Sequence, residues 1–304
     1  MSIEHKLIIF YKYTPVTDVE RFVIWQKKHC TELGLLGRIL IAKEGINGTV
    51  EGRIENIEEY ERRMHALDGS AGKFGDFSNV WFKESPSNGG AFEKLKVKAR
   101  TEIVATGLSL DADIDPNEVT GTHIEAAELK KWIESGEEFE IIDMRNDYEY
   151  AVGHFAGSRQ SGMQNFRDLP KIVSEHEELK DKKVLTVCTY GVRCEKASGH
   201  LIRQGFKEVY QLHGGIGTYM KEYPGQDFLG SLYVFDDRMT EQFTDQYQKI
   251  GVCVVCSSTS ERFGNCAWPD CHKQMIICVE CSPQEKTIYC RKDCELSHLK
   301  GVVK

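Results

Sequence analysis

Two groups of residues in this 304-residue chain have the types and spacing for chemistry. The first is Cys188-Thr189-Tyr190-Gly191-Val192-Arg193, a cysteine and an arginine with four residues between them. The apolar, β-branched run Lys183–Val187 before it reads as a buried strand. Residues Cys194–Arg203 after it suit a helix that stops near Gly205. A strand, a tight loop opening on cysteine and a helix N-terminus form an anion cradle. Backbone N–H groups converge there and the helix dipole favours negative charge. Such surroundings lower a thiol pKa and hold a thiolate or persulfide at neutral pH. The plainer alternative is a buried cysteine packed as a small hydrophobe. Cys194 is either a resolving partner within disulfide reach of Cys188 or a small residue at the helix start without chemistry.

The second group lies at the other end. Eight of the eleven cysteines fall beyond residue 252, in the pattern Cys253-x2-Cys256, Cys266-x4-Cys271, Cys278-x2-Cys281, Cys290-x3-Cys294. Each short loop presents two thiolates to one ion, and eight thiolates make two tetrahedral sites with none left over. Two structural Zn2+ ions are therefore expected. So small and apolar-poor a segment would rarely fold without such a staple. Sequential pairing groups Cys253, Cys256, Cys266 and Cys271; cross-braced pairing groups Cys253, Cys256, Cys278 and Cys281. Both stay open. His272 and His298 are candidate substitute ligands, or else surface histidines.

The chain around these groups reads as α/β and α+β, with two or three domains. Residues 1–105 follow a β-α-β-β-α-β order: a strand near 6–13, a helix near 17–34, a strand at 37–42, a turn into a further strand, a helix near 55–68 and a strand near Val80–Lys83. Asn47-Gly48 is the hairpin signal within it. That order is the ferredoxin-like, split βαβ arrangement. Lys94, Lys96, Lys98 and Arg100 would then share one face of a strand, with Leu95, Val97 and Ala99 on the other. Such a stripe suits phosphates, or it protects a solvated edge strand from aggregation. Net charge is −8, so affinity for nucleic acid must come from a local patch. Composition is that of a globular protein, 40% hydrophobic and 28% charged. No apolar run is long enough for a transmembrane helix, and the stretch Met1–Lys6 lacks the apolar core of a signal peptide. A cytoplasmic location with no membrane partner is expected. In that reducing setting clustered cysteines bind metal rather than pair.

Further motifs flank Cys188 in order: Asp143-Met144-Arg145, Glu149-Tyr150, Gly153-His154-Phe155-Ala156-Gly157, then Gly205-Phe206 leading to Val209-Tyr210-Gln211-Leu212-His213-Gly214-Gly215. Together with the Cys188-to-Arg193 loop they resemble the rhodanese (sulfurtransferase) domain over roughly residues 120–225. The resemblance implies a parallel-sheet α/β domain, a persulfide on Cys188 and a loop wrapped around it to Arg193. Cysteine phosphatases of similar fold use a loop one residue longer. Asp143 and Arg145 read as scaffold joined by a charge-assisted bond, and His154 as a satisfied core histidine.

The segments Lys43–Thr49 and Lys94–Val104, joined to a loop that continues Gly191-Val192-Arg193-Cys194-Glu195-Lys196-Ala197, resemble the rhodanese-type tRNA uridine hydroxylase family over nearly the whole chain. This resemblance implies hydroxylation of the wobble uridine of certain tRNAs at carbon 5, with molecular oxygen as co-substrate. It makes Cys188 and Cys194 the reactive pair and Arg193 the anion partner. The tRNA would lie across Lys43 and the Lys94–Arg100 stripe. Tyr190 stands where many members have glycine, which would narrow the loop mouth, and Val192 where isoleucine is common. No organic cofactor is evident: the chain has no dinucleotide fingerprint and no convincing facial triad. The alternative activity is a sulfurtransferase that takes sulfane sulfur from a persulfide donor through Cys188. A non-enzymatic RNA-binding adaptor is the third reading; Cys188 and Arg193 speak against it. The resulting division is 1–110 ferredoxin-like and tRNA-binding, 118–228 rhodanese-like and catalytic, and 240–304 a Cys-rich zinc module.

Overall fold

A computed structural model describes residues 4–70, 74–109, 112–283 and 287–301. The first three residues of the N-terminal stretch, and the limits set at 1, 110 and 304, lie outside the described residues. The N-terminal elements are β1 (His5–Tyr13), α1 (Val19–Glu32), β2 (Leu36–Ala42), β3 (Gly45–Arg53), α2 (Ile54–His65), β4 (Lys83–Ser87) and β5 (Leu95–Ala99). They build one five-stranded sheet in the order β4-β1-β3-β2-β5, antiparallel except for the β2–β5 pair. The ferredoxin-like order is borne out, with β5 added at the edge.

Helix α1 starts at Asp18, whose carboxylate accepts the Arg21 N–H at 3.0 Å. It buries Phe22, Gln26 and Cys30, spaced four apart on one face. Helix α2 buries Ile57, Tyr60 and Met64 in the same way. Both pack on the sheet face made by Ile8, Phe10, Ile39, Ile41, Val50 and Val97. Strand alternation turns Ile9, Arg38, Leu40, Asn47 and Thr49 to the opposite face.

Two expectations are corrected here. The hairpin turn is Lys43-Glu44, closed by the Ala42–Gly45 pair, while Asn47 and Gly48 lie inside β3 opposite Leu40 and Ile39. Gly48 is there for close packing: a Cβ would stand 2.6 Å from Phe10 Cζ. Asn47 donates to Ile103 O at 3.2 Å. The last strand of the motif begins at Lys83, not Val80. Val80 is core and Phe82 packs edge-on to Phe10 at 5.1 Å, whereas the strand itself is a polar edge ending in Ser85-Pro86-Ser87.

The central elements are β6 (Thr122–Ile124), α3 (Ala126–Ser135), β7 (Glu140–Asp143), α4 (Asp147–Val152), β8 (Gly153–Phe155), β9 (Arg159–Gln160), α5 (Ile172–Glu175), β10 (Lys183–Val187), α6 (Val192–Arg203), β11 (Glu208–Leu212) and α7 (Gly215–Glu222). The main sheet, β6-β11-β10-β7-β9, is parallel throughout, as the resemblance implied. Central β10 is buried from Val184 to Val187, and Cys188 follows its carboxyl end, where open α/β sheets bind ligands.

The C-terminal elements are β12 (Phe228–Gly230), which pairs with β8, β13 (Leu232–Tyr233) with β14 (Thr240–Glu241), β15 (Phe263–Asn265) with β16 (Gln274–Ile276), and α8 (Lys292–Leu299). Among the described residues no helix is long and apolar enough to cross a membrane.

Candidate active site

Cys188 has no exposed surface, yet it forms part of the floor of a cleft of about 630 Å³. The Gly191 N–H donates to its Sγ at 3.2 Å, and the N–H groups of Arg193 and Cys194, in the first turn of α6, also face the sulfur. Burial pushes the thiol up, but the Cys194 thiol, the Arg193 charge and those N–H groups outweigh it and bring Cys188 down to about 6. Cys194, hydrogen-bonded to Cys188, is pushed well up by burial and by its neighbour's negative charge. The pair thus divides its labour: Cys188 holds the negative charge and Cys194 keeps its proton.

The loop is held from three sides. Gly215 has φ of 72° and passes so close that a Cβ would stand 2.6 Å from Cys188 O. That approach lets the Ile216 and Gly217 N–H groups at the start of α7 donate to Cys188 O and Thr189 O, both at 2.9 Å. Arg193 is buried, and its fork meets Glu149 of α4 in two parallel bonds of 2.7 and 2.8 Å, with Thr189 Oγ1 at 3.0 Å. The expected anion partner therefore gives its fork to Glu149 and contributes a fixed charge beside the sulfur. Glu149, of the Glu149-Tyr150 motif, is the residue that positions it. Tyr190, which lines the cleft, also has a structural tie. Its ring is buried against Gly217 and its hydroxyl donates to Glu241 Oε2 at 3.0 Å, which anchors the loop to the C-terminal segment. Asp143 and Arg145 form a fully buried pair at 2.6 Å, and half-buried His154 donates its Nδ1–H to Tyr150 O at 2.9 Å.

The facing wall of the cleft is the free side of the N-terminal sheet, through Ile9, Arg38, Leu40, Asn47 and Thr49. The β2–β5 register sets Lys96 beside Arg38 and Lys98 beside Leu40, so the lysine stripe continues this wall outward. Lys94, Lys98 and Arg100 are exposed, Lys96 is half-exposed, and Lys43 is exposed at the tip of the β2–β3 hairpin. Among the described residues none of these five cations forms an ion pair with a carboxylate, unlike most other lysines on this acidic chain.

Sequence reasoning missed the groups that fasten the two halves together. Lys196, fully buried in α6, places its Nζ 2.6 Å from Glu44, 3.1 Å from Glu102 and 2.9 Å from Asp113. Tyr11 donates to Glu195 at 3.0 Å, and Glu195 also meets His123 at 3.0 Å. The Lys83 ammonium is held at 4.6 and 4.3 Å from the Tyr11 and Trp81 ring centres. Burial lowers it to about 8, against the upward pull of Cys188 and Glu195. No local pattern announces these contacts, because apart from Trp81 beside Lys83 each partner comes from a distant stretch of chain.

The tail cysteines form two clusters: Cys253, Cys256, Cys278 and Cys281, and Cys266, Cys271, Cys290 and Cys294. Within each, all four sulfurs lie within 4.8 Å of one another. The arrangement is cross-braced. The β15–β16 hairpin carries the second pair away from the first and returns the third pair to it. Edges of 3.6 Å (Cys256–Cys278) and 3.5 Å (Cys271–Cys290 and Cys290–Cys294) approach the roughly 3.8 Å expected for Zn–S bonds of about 2.3 Å. The donor set fits a tetrahedral thiophilic ion. His272 and His298 belong to neither cluster, and His298 pairs with Tyr289 at 3.0 Å.

An αβ-sheet domain, a rhodanese-type cysteine loop and a Cys-rich tail in one chain define a recognisable class. The chain matches the UPF0176 acylphosphatase like domain over residues 5–103, the Rhodanese-like domain over 125–222 and the Rhodanase C-terminal region over 229–295. A protein of Enterococcus faecalis named tRNA uridine(34) hydroxylase is 41% identical over 281 residues, covering 91% of this chain and 86% of that protein. Its namesake from Bacillus velezensis is 40% identical over 311 residues, covering 100% and 92%, and one from Staphylococcus aureus is 42% identical over 281 residues, covering 91% and 85%. This chain belongs to the tRNA uridine(34) hydroxylase family.

Proposed function

We propose that this chain hydroxylates the wobble uridine of tRNA to 5-hydroxyuridine, with molecular oxygen as co-substrate and Cys188 as the reactive thiolate. The observation that carries the reading is that a low-pKa thiol lies in a cleft whose facing wall, at Arg38 and Leu40, continues outward into the unpaired cations of β5. A small-molecule sulfurtransferase has no use for those cations; a polyanionic substrate does. In this reading tRNA phosphates run along Lys43, Lys94, Lys96, Lys98 and Arg100 and position the anticodon loop. Cys188, with Arg193 fixed beside it, faces the base. Cys194 keeps its own proton and donates it as a hydrogen bond to the Cys188 thiolate. Residues 1–110 serve RNA binding, 118–228 the chemistry, and 240–304 hold two structural Zn2+ ions. The enzyme works in the cytoplasm, without a membrane partner.

The short loop and lowered thiol also support the alternative, sulfur transfer through a Cys188 persulfide charged by a persulfide donor. Nucleoside mass spectrometry of tRNA incubated aerobically with metal-replete protein separates the two. A gain of one oxygen on uridine, absent with Cys188→Ser, is expected. Unchanged uridine together with thiosulfate turnover would leave the sulfurtransferase standing.

A further inference from the structure

The cleft has a third wall, contributed by neither the N-terminal sheet nor the rhodanese-like domain. Residues 234–239 form the tip of the β13–β14 hairpin, closed by a Val234 N–H to Met239 O bond of 3.0 Å. Asp236 stiffens the tip, receiving the Arg238 fork at 2.7 and 2.8 Å and the Arg238 N–H at 3.1 Å. Leu232, Tyr233 and Val234 are buried, 0–4% exposed, and Asp236 is 6% exposed. Phe235 between them is 49% exposed and lines the cleft that contains Cys188.

Single exposed apolar residues are ordinary. Phe235 differs in how it is held. Tyr233 meets its ring edge-on at 5.1 Å and 84°, and the Arg193 guanidinium carbon lies 5.5 Å from its ring centre. Arg193 is itself clamped by Glu149, so the ring is registered to the cysteine loop through a fixed charge. A rigid, half-exposed aromatic face beside a reactive thiol and opposite a basic wall is what a protein offers to a single unstacked base. The ring takes the π-face while cations outside take the phosphates. The cleft volume of about 630 Å³ admits one nucleotide.

We propose that Phe235 is the stacking platform for the target base: a pyrimidine swung out of the RNA lies on this ring and is thereby held beside Cys188. The inference rests on the reading of the cleft as a tRNA uridine site and adds the residue that seats the base. Phe235 is a substrate-binding residue, not a participant in the bond changes. The ring is half exposed and the hairpin is closed by its own Val234–Met239 bond and the Asp236–Arg238 pair, so its replacement should leave the fold in place.

The test uses full-length, metal-loaded protein and an anticodon stem-loop carrying 5-iodouridine at the wobble position, a photoprobe that couples to aromatic rings stacked on it. Peptide mapping after irradiation is expected to find the adduct on Phe235. Half-saturating RNA concentration is expected to rise about fivefold to a hundredfold in Phe235→Leu, which keeps apolar bulk but lacks a π-face. It should stay within about threefold of wild type in Phe235→Tyr. Near-UV circular dichroism and the denaturant midpoint of both variants should match wild type, which establishes that the fold is intact. An adduct elsewhere, or a Phe235→Leu variant that binds and reacts like wild type, overturns the platform and leaves the tRNA reading standing. Absence of saturable binding by the wild-type protein overturns both.

Discussion

The cysteine loop and the Cys-rich tail both gather thiols, and their surroundings direct them to different ends. In the tail, four sulfurs at each site face one another within 4.8 Å, an arrangement that needs a cation at its centre before all four can be thiolates. In the loop, Cys188 faces N–H groups, a fixed guanidinium and one thiol that donates to it, so a single thiolate is stable without metal. Cys30 of α1 supplies the control. It is as buried as Cys188 but meets no such donors, and burial alone pushes its thiol up to about 12. Loss of water is common to Cys30 and Cys188. What replaces the water decides whether the sulfur is inert or reactive.

The largest expected effect follows from that contrast. Cys188→Ser should lower uridine hydroxylation about a thousandfold or more, as loss of a nucleophile or its equivalent does, while Cys30→Ser should leave the rate within about twofold. Nucleoside mass spectrometry measures both, and a Cys30 variant as damaged as the Cys188 variant would break the comparison. Metal content tests the tail next. Cross-bracing requires that the pair Cys256→Ser and Cys281→Ser, which damages one site, retain one metal per chain. The pair Cys256→Ser and Cys271→Ser, which damages both, should retain none. Sequential pairing reverses those outcomes, and elemental analysis of purified variants reads them directly.

A third effect is on stability. Glu149→Gln leaves the buried Arg193 charge without its carboxylate and should cost about 3 kcal/mol or more in denaturant unfolding, since uncompensated buried charge is the expensive case. Cys188 alkylation at neutral pH should slow in the same variant, because the guanidinium loses its anchor beside the sulfur.

The pieces of this contrast differed in how readable they were. The strands β7, β10 and β11 and the helix α6 announce themselves by local pattern, and the loop between β10 and α6 carries its chemistry within six residues. The eight metal-directed cysteines are equally local as pairs. Which pairs share an ion is not, because it depends on how the β15–β16 hairpin folds back. The same limit hid Glu149 as the holder of Arg193, 44 residues away, and the three carboxylates around Lys196. Asn47-Gly48 misled for a related reason. Gly48 answers the packing of Phe10 across the sheet, a tertiary demand that mimics a turn signal. Polar β4 and the Phe235 hairpin carried no local pattern at all.

The pH dependence of stability should separate the two buried thiols with opposite slopes. The Cys188 pKa is depressed to about 6 in the folded chain, against roughly 8.5 for a free thiol. Its contribution is therefore complete above about 8.5 and is lost as pH falls toward 6. The Cys30 pKa is raised to about 12, so its contribution is present below about 8.5 and is lost as pH rises above that value. Relative to wild type, the deficit of Cys188→Ala should widen between pH 6 and 8.5, and that of Cys30→Ala should shrink above 8.5. Each slope is at most about 1.4 kcal/mol per pH unit, measurable by chemical denaturation across the range.

The smallest expected effect concerns Cys194, which distinguishes a loop cysteine supported by a neighbour from one supported by backbone alone. Its thiol is the first of the groups that lower Cys188, so Cys194→Ala should raise the Cys188 pKa. Iodoacetamide alkylation of Cys188 at pH 6.5 should then fall about threefold to tenfold, with no change at pH 9.5, where the thiolate is fully formed in either protein. Cys194→Ser restores a donor of similar size and should recover most of the loss. If Ala and Ser behave alike and both match wild type, the N–H groups of Gly191, Arg193 and Cys194 suffice, and the second thiol is a packing residue. If Ala is slow at both pH values, the loop has moved, and Cys194 acts by holding its shape rather than by sharing its proton.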